Sequence, residues 1–530
     1  MRFLSVSVNS FLIEFNHLSE TTNFFRQLKQ LNHPAILDMI PAEKTIFIQF
    51  SNLIIQQKEL IHWLSKQEIK DLTAELGREV VIPVSYQGMD LGQVAEFLGI
   101  TVNEVIRRHT ESEWKVAFIG FAPGFGYLNS ENAPFGSIPR LSSPRKQIPM
   151  GSVALAGEYA GIYPKNSPGG WQLIGHTDER MWDIHRDPPA LLLPGNRIFF
   201  KKNTQGASVF IDAEIKTNNL HLNQNLEKIP VLKVLRVGIQ VLIQDYGRQG
   251  KFALGVGVGG AMDKGAMQYA NECVGNPLNH AVLEILNGGF HTQVQCSTVI
   301  AVTGADTDLY IKYKDGETEI AKTYQPIALD QGDEIIIPPP KAGLRSYFAI
   351  RGGIAVNDVL GSKSFDTLAE LGPQPLKAND YIYTAQTMQS AVLGQRIKCD
   401  YLLPKPSETV VLDIVLGPRL DWFDKQSLET LKTQSWLVTS DINRIGLRLM
   451  GEKPLKRAKD IELPSEGTAI GALQVPPNGQ PVLFMNDHPL TGGYPVIATV
   501  ADYHLDLVAQ IPTGCMIKFN PISDFMDIRI

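Results

Sequence analysis

The sequence predicts a mainly β protein with α+β elements, divided into two β-rich domains, and three observations carry this. Apolar residues recur with period two in short runs, FLSVSV, TIFIQF, VVIPVSY, RIFFKK and SVFIDA, the alternation of half-buried strands. Farther along, STVIAVTGA, DEIIIPPP, SYFAIRGG, VVLDIVLG and CMIKFNPI are further strand runs broken by Gly and Pro at turn positions, a barrel-like plan. The chain's 530 residues exceed the roughly 250–300 that one hydrophobic core supports, so at least two domains are expected.

Helical patterns are few. DLGQVAEFLGI and TVNEVIRRHT begin with the N-cap candidates Asp90 and Thr101, the second with Glu104 three residues on, and together they predict a helix pair. MDKGAMQYANECVGN and KQSLETLK are the other helical runs, too few for a doubly wound parallel sheet. KTNNLHLNQNLEKIP, from about Lys216 to Pro230, is Asn-rich, polar and aperiodic, and a fresh strand pattern follows its Pro. The boundaries are a first domain over 1–212, a linker over 213–232 and a second domain over 233–530.

Composition excludes some functions. With 49 basic and 55 acidic side chains the net charge is −6, which gives no global positive field for nucleic acid. No stretch reaches the roughly 18 uninterrupted apolar residues of a bilayer span, and Ser5, Ser7, Asn9 and Glu14 interrupt the N-terminus before a secretory apolar core can form. A cytoplasmic location is expected. The scattered Cys273, Cys296, Cys399 and Cys515 lack zinc-site spacing and read as reduced and buried.

The two halves echo one another. IGFAPGFGYL, Arg140-Leu141, PMGSVA, GIYP and GGW recur in order, with altered spacing, as VLGPRLDWF, Arg448-Leu449, PSEGTA and GGYP. Either two divergent copies of one β unit share a cavity, or Gly-rich turns recur by chance.

Candidate chemistry gathers in these segments. Pro123, Gly124, Phe125, Tyr127, Gly151, Ser152, Tyr163, Ser167, Gly169, Gly170 and Trp171 combine close backbone approach with flat walls for a ring, or else form tight turns of a small barrel. His109, after Arg107 and Arg108, either contacts a phosphate or carboxylate or belongs to a solvated helix end. Arg140, Arg145 and Lys146 form a second basic cluster with the same two readings. Asp245 and Arg248 in QDYGRQG either bind a polar ligand or close their own turn. Glu284, among Val282, Leu283, Ile285 and Leu286, either has a partner or an unusual pKa, which makes it a site candidate, or faces solvent on an edge strand. Gly255, Gly257 and Gly260 have GxGxxG spacing before a helix that Asp263 would cap; no strand abuts them, so a Rossmann site is not indicated, and anion binding at that helix N-terminus stays open. GSKS at 361–364 is not a Walker loop. Asp487, with Thr491, Gly492, Gly493 and Tyr494, lies in the element echoing PGGW and either holds a ligand or Mg²⁺ or shapes the turn.

IGFAPGFGYL, PMGSVALAG, GIYP and SPGGW resemble the B component of the bacterial 5-oxoprolinase family. VLIQDYGRQG, GVGVGGAMDKGAMQYAN, VGNPLNHAVLE, AIRGGI, LPSEGTAIGALQVPPNGQPV and DHPLTGGYP resemble its C component. The resemblance covers nearly the whole chain outside the linker and identifies it as a B/C fusion, related to allophanate hydrolase, a kinase-inhibitor family and the carboxyltransferase part of urea carboxylase. It implies tandem cyclophilin-like β-barrel domains plus a small N-terminal α/β subdomain. The implied reaction is conversion of 5-oxo-L-proline to L-glutamate with ATP and Mg²⁺ and a separate A component of the LamB/YcsF type. Phosphorylation of the lactam oxygen, the role implied for B and C, would leave a carbon activated for hydration, and positioning with cationic stabilisation would carry most of such a transfer.

Asp245, Arg248 and Glu284 are then the catalytic candidates. His109, Arg145, Asp263, Asn271 and Asp487 join the Gly-rich and aromatic residues as ligand-binding candidates, with no dedicated protein metal site. Departures stand at Gly126, where the family has Pro, at Tyr159-Ala160, and at Lys363 and Phe365 in GSKSF, where an Arg is lost. A regulatory binding protein of the kinase-inhibitor type, or a carboxyltransferase or amidohydrolase acting on another amide, are the alternatives, and the oligomeric state, including a homo-oligomer, is open.

Overall fold

A computed structural model describes residues 1–69, 77–141, 145–203, 229–384, 401–459, 461–523 and 525–529. Its elements are mostly strands, as the period-two runs predict, gathered into four main layers. SVFIDA, Cys399 and most of the expected linker lie outside the described residues. Ile229 to Leu232, expected at the end of that linker, instead begin the strand Ile229–Arg236.

The first layer is a small N-terminal α/β unit. Ile36–Pro41, Thr45–Phe50, Ser10–Glu14 and Arg2–Ser7 form an antiparallel sheet covered by the helices Leu18–Leu31 and Gln57–Ser65 over a core of Phe3, Phe11, Phe24, Phe50 and Leu60. Its fifth strand, Asp527–Arg529, comes from the other end of the chain and pairs Phe3 with Ile528. Arg2 holds both carboxylate oxygens of Asp527 at 2.8 and 2.9 Å. The N-terminal layer is therefore built from both halves of the sequence.

The second layer is a seven-stranded sheet over 79–202, antiparallel except where Arg197–Lys202 runs parallel to Glu79–Val84. The predicted helix pair, Leu91–Leu98 and Val102–Glu111, packs on it. Thr101 caps the second helix through the backbone N–H of Glu104 at 3.2 Å, as its sequence implies. Asp90 makes no such cap and is bound elsewhere.

The third layer stacks a six-stranded on a five-stranded sheet across a Val/Ile/Leu core, with the helix Lys264–Cys273 on the second sheet. The fourth is a closed seven-stranded barrel over 409–523 around Trp436, Leu473 and Ile497. Cys273 and Cys515 are buried and Cys296 half-buried, all as free thiols.

Val102–Glu111 also corrects one expectation. Its turn from Arg107 to His109 is not a free cationic patch, because Arg107 and Arg108 are paired with Glu104, and Arg107 also with Glu111. His109 points inward, fully buried, stacked on Phe200 at 4.1 Å with Trp114 beside it. Its Nδ1 lies 2.7 Å from the Tyr86 hydroxyl and its Nε2 has no partner. Burial lowers its pKa to about 3, so it is a neutral core ring and not a phosphate ligand. The unfolded chain takes up this proton near pH 6.5 and the folded chain does not. Stability from this group is therefore complete above about pH 6.5 and is lost as pH falls toward 3, by about 1.4 kcal/mol per unit. His109→Phe should remove that slope. A stability difference between parent and variant that stays constant from about pH 6.5 to 4.5 in urea unfolding contradicts the assignment.

Candidate functional site

A cavity of about 550 Å³ opens where the second layer meets the barrel. Half of its wall comes from the first echo: Phe121, Phe125, Tyr127, Tyr163 and the turn Pro168 to Trp171. The other half comes from the second half of the chain: Ser465 and Gly492 to Tyr494 of its echo, with Gln474, Pro489 and Thr491 beside them. The volume lies within the roughly 300–1,000 Å³ of small-molecule sites.

Glycine lets the two halves approach here. Thr491 Oγ1 accepts the backbone N–H of Phe121 at 2.8 Å across the junction. A Cβ on Gly120 would stand 2.5 Å from that oxygen, closer than any side chain allows. A Cβ on Gly493 would stand 2.7 Å from Arg140 Nη1, so glycine also brings that guanidinium against the loop.

The aromatic floor is continuous. Phe125 meets Tyr127, Tyr163 and Trp171 edge-on at 5.2–5.3 Å between centroids. Burial holds the Tyr163 phenol well above its ordinary pKa, so it is a neutral hydroxyl. Among the described residues the cavity's cations are Arg140 and Arg457, one from each half. Arg457 lies over the Tyr494 ring at 5.5 Å and donates to Val475 O at 2.8 Å, while its buried Nε has no partner. Burial lowers the Arg457 pKa, yet a guanidinium stays charged. Among the described residues Arg140 has a loose pairing, 3.8 Å, with exposed Glu462. Two under-satisfied guanidiniums above an aromatic floor suit an anionic, partly planar ligand.

The sequence-predicted residues divide into two groups. Phe125, Tyr127, Tyr163, Gly169, Gly170, Trp171, Thr491, Gly492, Gly493 and Tyr494 line the cavity. Pro123 and Gly124 turn the chain into the junction, where Gly124 N–H donates to Leu254 O at 3.3 Å. Gly151 N–H donates to Tyr163 O, Ser152 lies in the strand Ser152–Ala156, and Ser167 bonds Lys165 O, all supporting the wall from behind.

The charged candidates are not on this wall. Arg145 is clamped by both oxygens of Asp90 at 2.9 and 2.7 Å, and Asp90 also accepts from Leu173 N–H. Asp245 accepts from Gly247 N–H within its own turn and from Ser362 Oγ, Lys363 N–H and Ser364 Oγ of a distant loop, at 2.5–2.8 Å, so it ties the two segments together and does not pair with Arg248. Arg248 is fully buried and donates to Val359 O, Ser364 O and Leu371 O. Asp263 caps its helix through Ala266 N–H and also binds Gln510 and Tyr401, and Asn271 bonds His280 O. Asp506 accepts the N–H groups of Lys264 and Gly265, which fills the helix terminus that the glycine motif suggested for an anion. The departures stand outside the cavity wall as well: Tyr159 packs edge-on behind Tyr127, Gly126 and Ala160 lie within strands, and Phe365 is buried beside the Asp245 turn. The side chain of Lys146 lies outside the described residues.

Glu284 and Asp487 share a partner that the sequence did not reveal. The strand Val282–Leu286 is internal, paired on both sides, so the edge-strand reading fails. Glu284 is bound by Met262 N–H, Tyr347 hydroxyl and Arg444 Nη1, the last at 2.5 Å. Arg444 also grips Asp487 in a fork at 2.9 and 3.0 Å and donates to Gly260 O, while Asp487 further accepts from Thr367 N–H and hydroxyl. This network sits directly behind the loop bearing Thr491 to Tyr494. Arg444 in DINRIG carries no local signal, because its carboxylates are 43 and 160 residues away. Arg457 reads, in KPLKRAKD, as an ordinary exposed basic run.

The carboxyltransferase domain family, subdomains A and B, matches residues 254–521, and its subdomains C and D match residues 1–192. The chain belongs to this family. Its second half is 34% identical over 305 residues to the C component of 5-oxoprolinase from Escherichia coli K12, covering 92% of that protein and 55% of this chain. Its first half is 37% identical over 178 residues to the B component of 5-oxoprolinase from Escherichia coli O157:H7, covering 81% of that protein and 33% of this chain. The solved structure of TTHA0988 superposes with a TM-score of 0.82 at 28% identity, covering 98% of this chain and all of the other. The chain is thus a B-like half fused to a C-like half, and the cavity lies between them.

Because Arg444 neutralises two buried carboxylates at once, Arg444→Met should cost about 3–5 kcal/mol of stability. Urea unfolding measures this, and a loss below about 1 kcal/mol contradicts the network's role.

Proposed function

We propose that the protein activates the lactam of 5-oxo-L-proline, as the B/C component of an ATP-dependent 5-oxoprolinase working with a separate A component. The observation that carries this reading is the pair Arg140 and Arg457, contributed by opposite halves to one aromatic cavity. The similarity of both halves to named components of 5-oxoprolinase supports it.

ATP fits the donor set: the guanidiniums suit phosphate oxygens, and Phe121, Trp171 and Tyr494 offer flat apolar walls. Mg²⁺ is bound in such sites by phosphates, waters and one or two carboxylates. Among the described residues no group of three or more His, Cys, Asp or Glu gathers at metal-holding distance, and Glu462 is the acidic residue they bring to the cavity wall. ATP, when bound, supplies the phosphoryl group that makes the lactam oxygen a leaving group.

The protein's own residues then have defined tasks. Arg140 and Arg457 neutralise the negative charge that accumulates on the transferring oxygens. Gly492 and Gly493 lie at the same wall, where the absence of side chains leaves the ligand room against the loop. The Tyr163 hydroxyl, held neutral, can donate to a carbonyl or carboxylate without adding charge. The aromatic floor keeps bulk water from the activated carbon until the A component engages.

The test is ADP and glutamate release from 5-oxo-L-proline, ATP and Mg²⁺, with and without a LamB/YcsF-type protein. Glutamate should form only with both proteins. Arg457→Met and Arg140→Met should each lower kcat/KM about 10²-fold, the scale of losing one transition-state donor. Neither ADP nor glutamate with a partner of proven competence contradicts the reading and moves the family's carboxyl-transfer chemistry on another amide to the front.

A further inference from the structure

A second cavity, of about 340 Å³, lies on the other side of the barrel segments that wall the first. His488 faces it while Pro489 and Thr491 face the first cavity, so one stretch of backbone separates the two. It is built from three of the four layers: Ser7, Asn9, Ser10 and Gln49 of the N-terminal sheet, Phe252 to Lys264 of the third layer, and Thr468 to Ile470, Asn486, Asp502 and Asp506 of the barrel region.

Its charges are arranged unusually. Asp506 is already bound by two backbone N–H groups, at 2.9 and 3.0 Å. Lys264 and Asp502 line the same cavity, and among the described residues neither side chain makes a hydrogen bond or a direct ion pair. Each nonetheless feels the other: burial lowers the Lys264 pKa while Asp506 and Asp502 raise it, and burial raises the Asp502 pKa while Lys264 lowers it. Both side chains are half-buried, and a cation and an anion on one cavity wall that do not touch leave room for a ligand that carries both charges. The remaining wall is apolar on one side, with Phe47, Val258 and Leu505, and uncharged and hydrogen-bonding at the N-terminal sheet, with Asn9 and Gln49.

We propose that this second cavity is a binding site for a free α-amino acid with a short, uncharged polar side chain, its carboxylate on Lys264 and its ammonium on Asp502. The zwitterion satisfies both unpaired groups, its aliphatic carbons cover Phe47 and Leu505, and its polar tip meets Asn9 and Gln49. An anion alone would leave Asp502 unpaired, and a cation alone would leave Lys264 unpaired. The site is separate from the cavity assigned to lactam activation, and its occupancy does not require that assignment.

The test uses the full chain and isothermal titration with two probes, L-glutamine and glutaramate, the same molecule without the α-ammonium. L-Glutamine should bind, and glutaramate should bind at least about tenfold more weakly, the scale of one lost charge contact. Asp502→Asn should abolish that preference. Lys264→Met should weaken both probes at least about tenfold, and Lys264→Arg, which keeps the charge, should restore binding and so separate charge from folding. Arg457→Met, in the first cavity, should leave L-glutamine binding intact. The proposal is overturned if L-glutamine gives no heat up to about 10 mM, if Lys264→Met and Asp502→Asn bind as the parent does, or if binding is lost in Arg457→Met alone.

Discussion

Everything at the junction depends on one buried guanidinium. Arg444 is 2% exposed and joins three segments that sequence separates widely: the glycine loop at Gly260, the central strand at Glu284 and the loop at Asp487. Both carboxylates sit at this depth against the same guanidinium, and Arg345 Nε stands 3.9 Å from Glu284 as a second cation. The forked geometry of arginine also fixes the direction of Asp487, a directional constraint that a lysine would not supply. Asp487 in turn starts the loop that reaches Thr491 and Tyr494, so the cavity's second wall is aimed from behind by charge and not by packing alone.

From that anchor the two halves close on each other through small, specific contacts. Thr491 reaches Phe121 where Gly120 leaves room, Gly493 admits Arg140, and Phe252 N–H reaches Asp38 of the N-terminal sheet at 3.3 Å. Arg419 is shared between Glu466 of the barrel region and Glu14 of the N-terminal sheet, at 2.7 and 2.6 Å. Asp527–Arg529 then completes the N-terminal sheet. A B-like and a C-like half in one polypeptide therefore form a single interlocked body, with a cavity that neither half could enclose alone. The same interlocking creates the second cavity, because the N-terminal sheet roofs a space that the third layer and barrel leave open.

Fold class was legible because strand periodicity and turn chemistry are local properties. The echo between halves was legible too, and Gly-rich and aromatic residues from both of its copies line one cavity. Charged residues were harder to read. Glu284 looked anomalous in its apolar run, and the anomaly was real: the physical cause is a buried partner 160 residues away, on an internal strand and not an edge one. Arg145, Asp245 and Arg248 sit in the motif segments, yet their hydrogen bonds are internal, and no one-dimensional pattern distinguishes a clamp from a ligand contact. Arg457 was missed for the opposite reason: a basic loop residue gains significance only when the fold sets it over Tyr494 and buries its Nε.

Placing the anionic ligand between Arg140 and Arg457, in the cavity between the halves, is the step on which the functional reading stands. A crystal structure of the protein with Mg²⁺ and a non-hydrolysable ATP analogue tests it most directly. Phosphate density should appear within hydrogen-bond distance of both guanidiniums, with the base or ribose against the wall of Trp171 and Tyr494. A nucleotide bound elsewhere on the chain, with the cavity between the halves empty, would contradict it.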